Sequence, residues 1–125
     1  GKPLDQKGFF VEPTILTNVT ADNCVAREEI FGPVLSVIKT DDMDQAIAAA
    51  NASDSGLAGS VWTQDISQAH KTVAEIRAGL IWINCHGIPD MAIPFGGYNQ
   101  SGWGREGGLE GLEYYTELKS VLTAL

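Results

Sequence analysis

Little in this chain of 125 residues points outward to a large charged partner or into a membrane. Basic residues are scarce, 8 against 16 acidic ones, leaving a net charge of −8. Nucleic acid and anionic membrane surfaces both need a basic face, so neither is expected as a partner. No apolar run approaches the roughly 18 residues that a membrane-spanning helix requires. The first residues have neither a basic stretch nor an apolar core of the kind that directs secretion, and a cytoplasmic protein is expected. Cysteine is limited to Cys24 and Cys85, far apart and in no C-x-x-C pair, so a disulfide framework is not expected and two reduced thiols are. Histidine is limited to His70 and His86, and no metal-ligand spacing is present. Without a secretory signal, the N-x-S/T triplets at Asn18, Asn51 and Asn99 read as chance matches.

What remains is ordinary for a globular protein: 44% apolar and 19% charged residues. A chain of this length is expected to bury roughly two thirds of its unfolded surface. Gly1 to Gly8 is polar and expected to fray. Phe9 to Leu16 is rich in β-formers, with Pro13 demoting it to an edge or broken strand. Asn23 to Glu29 reads as a short helical turn or a loop carrying Cys24. Val34 to Thr40 is a continuous apolar run, the pattern of a strand covered on both faces. Asp42 and Asp65 each stand before a helical period, one carrying Met43, Ala46, Ile47 and Ala50, the other Ala69, Val73 and Ile76. Gly79 fits the residue just past the second helix. Strands are expected over Ala58–Thr63 and Leu80–Asn84. Residues 34–84 thus read as a β-α-β-α-β unit with a parallel sheet, an α/β fold. Gly96 to Gly108 holds six glycines, a short helix follows around Leu109–Tyr114, and Thr116 to Thr123 reads as a tail strand.

The chain is organised around Glu28-Glu29-Ile30-Phe31-Gly32-Pro33. Gly32 is expected to relieve the limits on φ, and Pro33 cannot donate to a ladder, so a helix or loop stops here and a strand starts. The turn fixes where Glu29 and Phe31 point. A carboxylate accepts two hydrogen bonds from a vicinal diol, and a ring two residues on lies against a flat heterocycle. The plain alternative is a solvated Glu28 and Glu29 with Phe31 plugging the core. Two other signals carry less. Gly102-x-Gly104-x-x-Gly107 has no strand before it and no βαβ unit around it, so it is no dinucleotide fingerprint; Arg105 and Glu106 are expected to tie this loop down. Cys85 follows a strand with His86 beside it, but chain neighbours rarely face each other and no third group is identifiable. Cys85 is therefore read as a structural or pocket-lining thiol, Cys24 and His70 as structural or surface residues, and His86 and Asp90 as candidates for a pocket mouth.

The E-E-I-F-G-P-V stretch and the run Pro94-Phe95-Gly96-Gly97-Tyr98-Asn99-Gln100-Ser101-Gly102-Trp103-Gly104-Arg105-Glu106 together resemble the NAD(P)-dependent aldehyde dehydrogenase superfamily, in its order and near its spacing. The resemblance implies that Glu29 binds the nicotinamide ribose and that Phe31 packs by the nicotinamide of NAD or NADP. It implies that the loop before Phe95, with Cys85 and Ile88, lines the aldehyde tunnel, and that the tail strand joins a homo-oligomer. By family chemistry a cysteine thiolate attacks the aldehyde, the thiohemiacetal gives hydride to NAD(P)+, and a glutamate-activated water releases the acid. The family's G-Q-x-C nucleophile segment, its E-L-G-G-K base segment and its Rossmann domain are not in these residues. No catalytic residue is assigned, and the 125-residue chain by itself is expected to be inactive. The implied division is residues 1–93 as the end of a catalytic domain and 94–125 as the glycine-rich loop, short helix and oligomerisation strand. The alternative is a non-catalytic assembly module.

Overall fold

A computed structural model describes residues 1–125. The chain forms two compact units, Gly1–Asp54 and Ser55–Leu125.

In the first unit, β1 (Thr14–Leu16) and β2 (Val34–Ser36) pair in parallel, Thr14 opposite Val34 and Leu16 opposite Ser36. The connection carries a single helical turn, α1 (Cys24–Arg27), which decides between the helical turn and the loop. Pro13 falls just outside β1, so it removes no ladder bond, and Thr14 N–H donates to the Pro33 carbonyl at 2.8 Å. The Ser36 hydroxyl ties β2 to α1 through the Val25 carbonyl at 3.2 Å. α2 (Met43–Asn51) starts on Asp42, whose Oδ1 accepts from Gln45 N–H at 2.8 Å, while Gln45 Oε1 accepts from Asp41 N–H at 3.2 Å. This is a reciprocal cap, and the helix buries Ile47.

Three expectations are corrected here. The first residues do not fray: Leu4 N–H bonds to Phe10 O and Glu12 N–H to Lys2 O, both at 3.0 Å, folding them back on 10–12. The strand at Val34 is three residues long and not covered on both faces, since Ile15 and Leu35 are both exposed. Nor does β2 join a β-α-β-α-β sheet with the later strands. Its ladder goes to β1, and the chain's strands form three separate two-stranded sheets.

In the second unit, β4 (Ala58–Val61) and β5 (Leu80–Ile83) pair in parallel, with α3 (Ile66–Glu75) as the crossover. This is the half of the expected unit that stands. Asp65 Oδ1 caps α3 at Ser67 N–H and Gln68 N–H, 2.9 and 3.0 Å. The helix face carrying Ala69 and Thr72 is buried, as is Val61 of β4. A short antiparallel pair, β3 (Ser55–Gly56) with β6 (Tyr98–Asn99), and a 3-10 helix (Glu110–Tyr115) complete the unit.

Gly79 is not the residue past the helix. α3 ends at Glu75, Ile76 is already extended, and Gly79 stands where β5 begins. A Cβ there would run into the Gly96 carbonyl, with Gly96 C at 2.8 Å. Gly79 is a crossing point at which the strand and the glycine-rich loop touch backbone to backbone. The expected tail strand, residues 116–123, joins no ladder within this chain.

The chain exposes 10450 Å². A folded protein of 13.4 kDa exposes about 6,500 Å², so it buries nearer half than two thirds of its unfolded surface. Leu118, Val121, Leu122 and Leu125 of the tail are among the fully or almost fully exposed side chains.

Candidate functional site

Two features stand out, one in each unit. In the first, the turn before β2 displays its side chains. Val34 N–H bonds back to Gly32 O at 2.8 Å, closing a tight turn on Pro33. The strained residue of this turn is Phe31, at φ 51°, and not Gly32, which keeps an ordinary φ. Bulky residues rarely adopt the left-handed region. Here that conformation leaves the ring 92% exposed instead of plugging the core. Glu29 is exposed two residues earlier, and no hydrogen bond or ion pair within the chain uses its carboxylate. Glu28 likewise faces solvent.

In the second unit, a mostly apolar cleft of about 260 Å³ lies beside β5 and the loop that leaves it. Asn84 makes the corner. It takes φ 53°, its N–H bonds to Val61 O at 2.8 Å, and its side chain bridges Thr63 N–H and Thr63 O, both at 2.9 Å. Asn is one of the few residues besides glycine that visits the left-handed region, and here its amide is held by Thr63 of the neighbouring strand end. The loop is then held to the sheet twice. His86 Nδ1 lies 2.7 Å from Ser60 Oγ on β4, and Trp82 Nε1–H donates to Ile88 O at 3.0 Å. The Trp82 and His86 rings meet edge to face at 5.0 Å. The far wall is fixed by Phe95 and Glu106, whose backbones exchange bonds at 2.7 and 2.8 Å. Arg105 reaches the carbonyls of Gly97 and Gly104, 2.9 and 2.8 Å, and covers the Tyr98 ring.

Ile88, Asp90 and Phe95 come together on the walls of this cleft. Cys85 lies at the start of the same loop, partly exposed and outside the lining. Its neighbour His86 is turned to Ser60, so no thiol–imidazole pair forms. The turn at Asn84 and the indole anchor of Trp82 were not read from sequence; an Asn directly after an apolar strand was the only local signal for the first.

The aldehyde dehydrogenase family model matches residues 1–121. This chain belongs to the aldehyde dehydrogenase family. A betaine aldehyde dehydrogenase of Rhizobium leguminosarum bv. trifolii is 50% identical over 119 residues, 95% of this chain and 24% of that protein. Aldehyde dehydrogenase 1 of Tanacetum cinerariifolium is 47% identical over 125 residues, all of this chain and 25% of that protein. The structure of a Bacillus cereus aldehyde dehydrogenase in complex with NAD+ superposes with a TM-score of 0.92 at 48% identity, over 96% of this chain and 24% of that one. The aldehyde dehydrogenase chain described here therefore spans about a quarter of the length of the relatives it matches. Both features of the structure, the Phe31 turn and the Phe95 wall, lie inside the matched residues.

Proposed function

We propose that this chain is the C-terminal quarter of an NAD(P)-dependent aldehyde dehydrogenase and supplies half of the cofactor site and one wall of the aldehyde tunnel. The observation that carries the reading is the outward, strained Phe31 beside a Glu29 carboxylate with no partner, inside a family match that spans nearly the whole chain. Backbone strain of this kind persists where function holds it. The residues fit a nicotinamide riboside: Glu29 offers both oxygens to a diol, Phe31 offers a ring face, and a Cβ at Gly32 would meet nothing closer than 3.7 Å, so the approach is open. When bound, a nicotinamide cofactor accepts hydride. Glu29 would hold the ribose, Phe31 would limit the tilt of the nicotinamide, and Ile88 and Phe95 would hold the aldehyde's side arm. Such orientation matters because hydride transfer needs near-contact geometry.

In this reading residues 1–93 close a catalytic domain, and residues 94–125 carry the glycine-rich loop, the helix and a strand that pairs with another copy. The parent enzyme is cytoplasmic, in keeping with two free cysteines; no helix here is long and apolar enough to cross a membrane. The nucleophile and base lie outside this chain. The test is calorimetric titration of the 125-residue chain with NAD+. Saturable binding that Glu29→Gln weakens roughly tenfold is expected, since hydrogen bonds to a charged group are worth about 1.5–3 kcal/mol and only part is lost. Binding indifferent to the substitution, or none, removes the residue-level reading. The same chain given an aldehyde and NAD+ is expected to form no NADH.

A further inference from the structure

The loop that leaves β5 has little backbone to hold it. Cys85, His86 and Gly87 enter no backbone–backbone hydrogen bond. Gly87 turns at φ 70°, and a Cβ there would meet nothing within 4 Å. Ile88 is 59% exposed, so burial does not fix its place on the cleft wall. Side chains hold the loop instead, in a series of contacts that starts on the sheet. Ser60 and Trp82 are register partners on β4 and β5. His86 comes back over this rung and meets both of them. Its Nδ1 lies 2.7 Å from Ser60 Oγ, and its ring meets the Trp82 ring at 5.0 Å with 60° between the planes. Trp82 in turn donates its Nε1–H to Ile88 O at 3.0 Å.

We propose that Ser60 and His86 are positioning residues for the aldehyde's side arm: the pair holds the loop over the sheet so that Trp82 carries Ile88 on the cleft wall. The proposal rests on the reading of the chain as part of an aldehyde dehydrogenase. Neither Ser60 nor His86 lines the cleft, so they act through Trp82 and Ile88, which do. A hydroxyl both donates and accepts, so the Ser60 bond forms with either tautomer of the ring. Edge-to-face contact is directional, so a tethered imidazole also sets the tilt of the indole and the direction of its N–H. The pair is not a nucleophile with its base. No carboxylate bonds to His86, whose other contact is an indole, so the third group that such a pair needs is missing. A misplacement of about 1 Å in a group that orients substrate costs on the order of a hundredfold in rate, so a tether behind the wall matters.

The test is the rate at which the indole N–H of Trp82 exchanges with water, measured by NMR on the 125-residue chain. The resonance is assigned by its disappearance in Trp82→Phe, and those of Trp62 and Trp103 serve as references. Ser60→Ala and His86→Ala are each expected to speed this exchange about fivefold, the factor that one hydrogen bond of ordinary net strength sets. Adding Ser60→Ala to His86→Ala is expected to change nothing further, because the shared bond is already gone. His86→Asn sets a polar atom where Nδ1 stands, whereas His86→Gln sets it one carbon further out, so slower exchange is expected in the first. The Asn84 amide, bonded to Val61 O at 2.8 Å where the strands end, is expected to keep its protection throughout. Unchanged Trp82 exchange overturns the proposal, as does a Gln variant that protects as well as Asn. Equal loss of protection at Asn84 also overturns it, since the pair then only supports the sheet. Phenethyl alcohol, a non-reactive alcohol analogue of an aldehyde, is expected to move the Ile88 methyl signals saturably, with affinity about fivefold weaker in Ser60→Ala. Equal affinity overturns the proposal alone. No response from the native chain overturns the tunnel wall and the proposal with it, and leaves the cofactor half-site untouched because no NAD+ is present.

Discussion

Phe31→Asn separates display for function from packing for stability. A residue other than glycine in the left-handed region carries roughly 1–2 kcal/mol of strain, and Asn, which is enriched there, recovers about 0.5–1 kcal/mol of it. Against this stands the burial that the ring gives up. At 92% exposure it buries on the order of 16 Å² of a roughly 200 Å² side chain, about 0.4 kcal/mol at 25 cal/mol/Å². The balance is between neutral and about 0.6 kcal/mol stabilising, a rise in Tm of roughly 0–4 °C by circular dichroism. The same substitution removes a ring contact worth about 0.5–1.5 kcal/mol to a bound nicotinamide, so NAD+ affinity is expected to fall about two- to tenfold by calorimetry. A protein that loses affinity while keeping or gaining stability is what a displayed residue gives. If Tm drops by more than about 5 °C, Phe31 packs against the chain and the reasoning from its exposure is wrong. Unchanged NAD+ affinity would show that the strain serves something other than the cofactor.

Gly79→Ala is expected to destabilise the chain by about 2 kcal/mol or more, read as a lower Tm, because a Cβ meets the Gly96 backbone and neither backbone can yield cheaply; Gly59→Ala, where the nearest atom is the flexible end of Ile81 at 3.2 Å, is the control expected to cost well under half of that. Equal effects of the two substitutions would dismiss the backbone crossing. The exposed tail leucines and the excess surface lead us to expect a dimer or larger assembly by light scattering at micromolar concentration, reduced by Leu118→Asp with Leu122→Asp; a monomer would count against pairing through the tail.

Both of the longer helices were legible because each signal closes within a few residues. Asp42 and Asp65 find their donors two or three positions on, and Ile47 and Ala69 are buried as the helical period places them, although the second helix buries Thr72 where the period pointed to Val73 and Ile76. The β4-α3-β5 unit was legible for the same reason, since a capped helix between two apolar runs leaves few other arrangements. The partner of β2 was not. Val34–Ser36 reads the same whether it pairs with Thr14–Leu16 or with a later strand, and the choice is a competition between distant segments. At the candidate sites, sequence singled out Glu29, Phe31, Cys85, Ile88 and Phe95, but it looked to Gly32 for the turn's unusual φ, which the structure gives to Phe31.

The sequence by itself determined the family, the two capped helices and the residue types at the turn before β2, because motif identity and capping are local properties of the chain. The tertiary structure alone decided that Phe31 points outward, that Gly79 is a backbone crossing, and that Trp82 spends its donor on Ile88 and leaves the cleft apolar. Each of these depends on which distant atom arrives within about 3 Å, and that is set by the packing of the whole unit and not by any short stretch of residues.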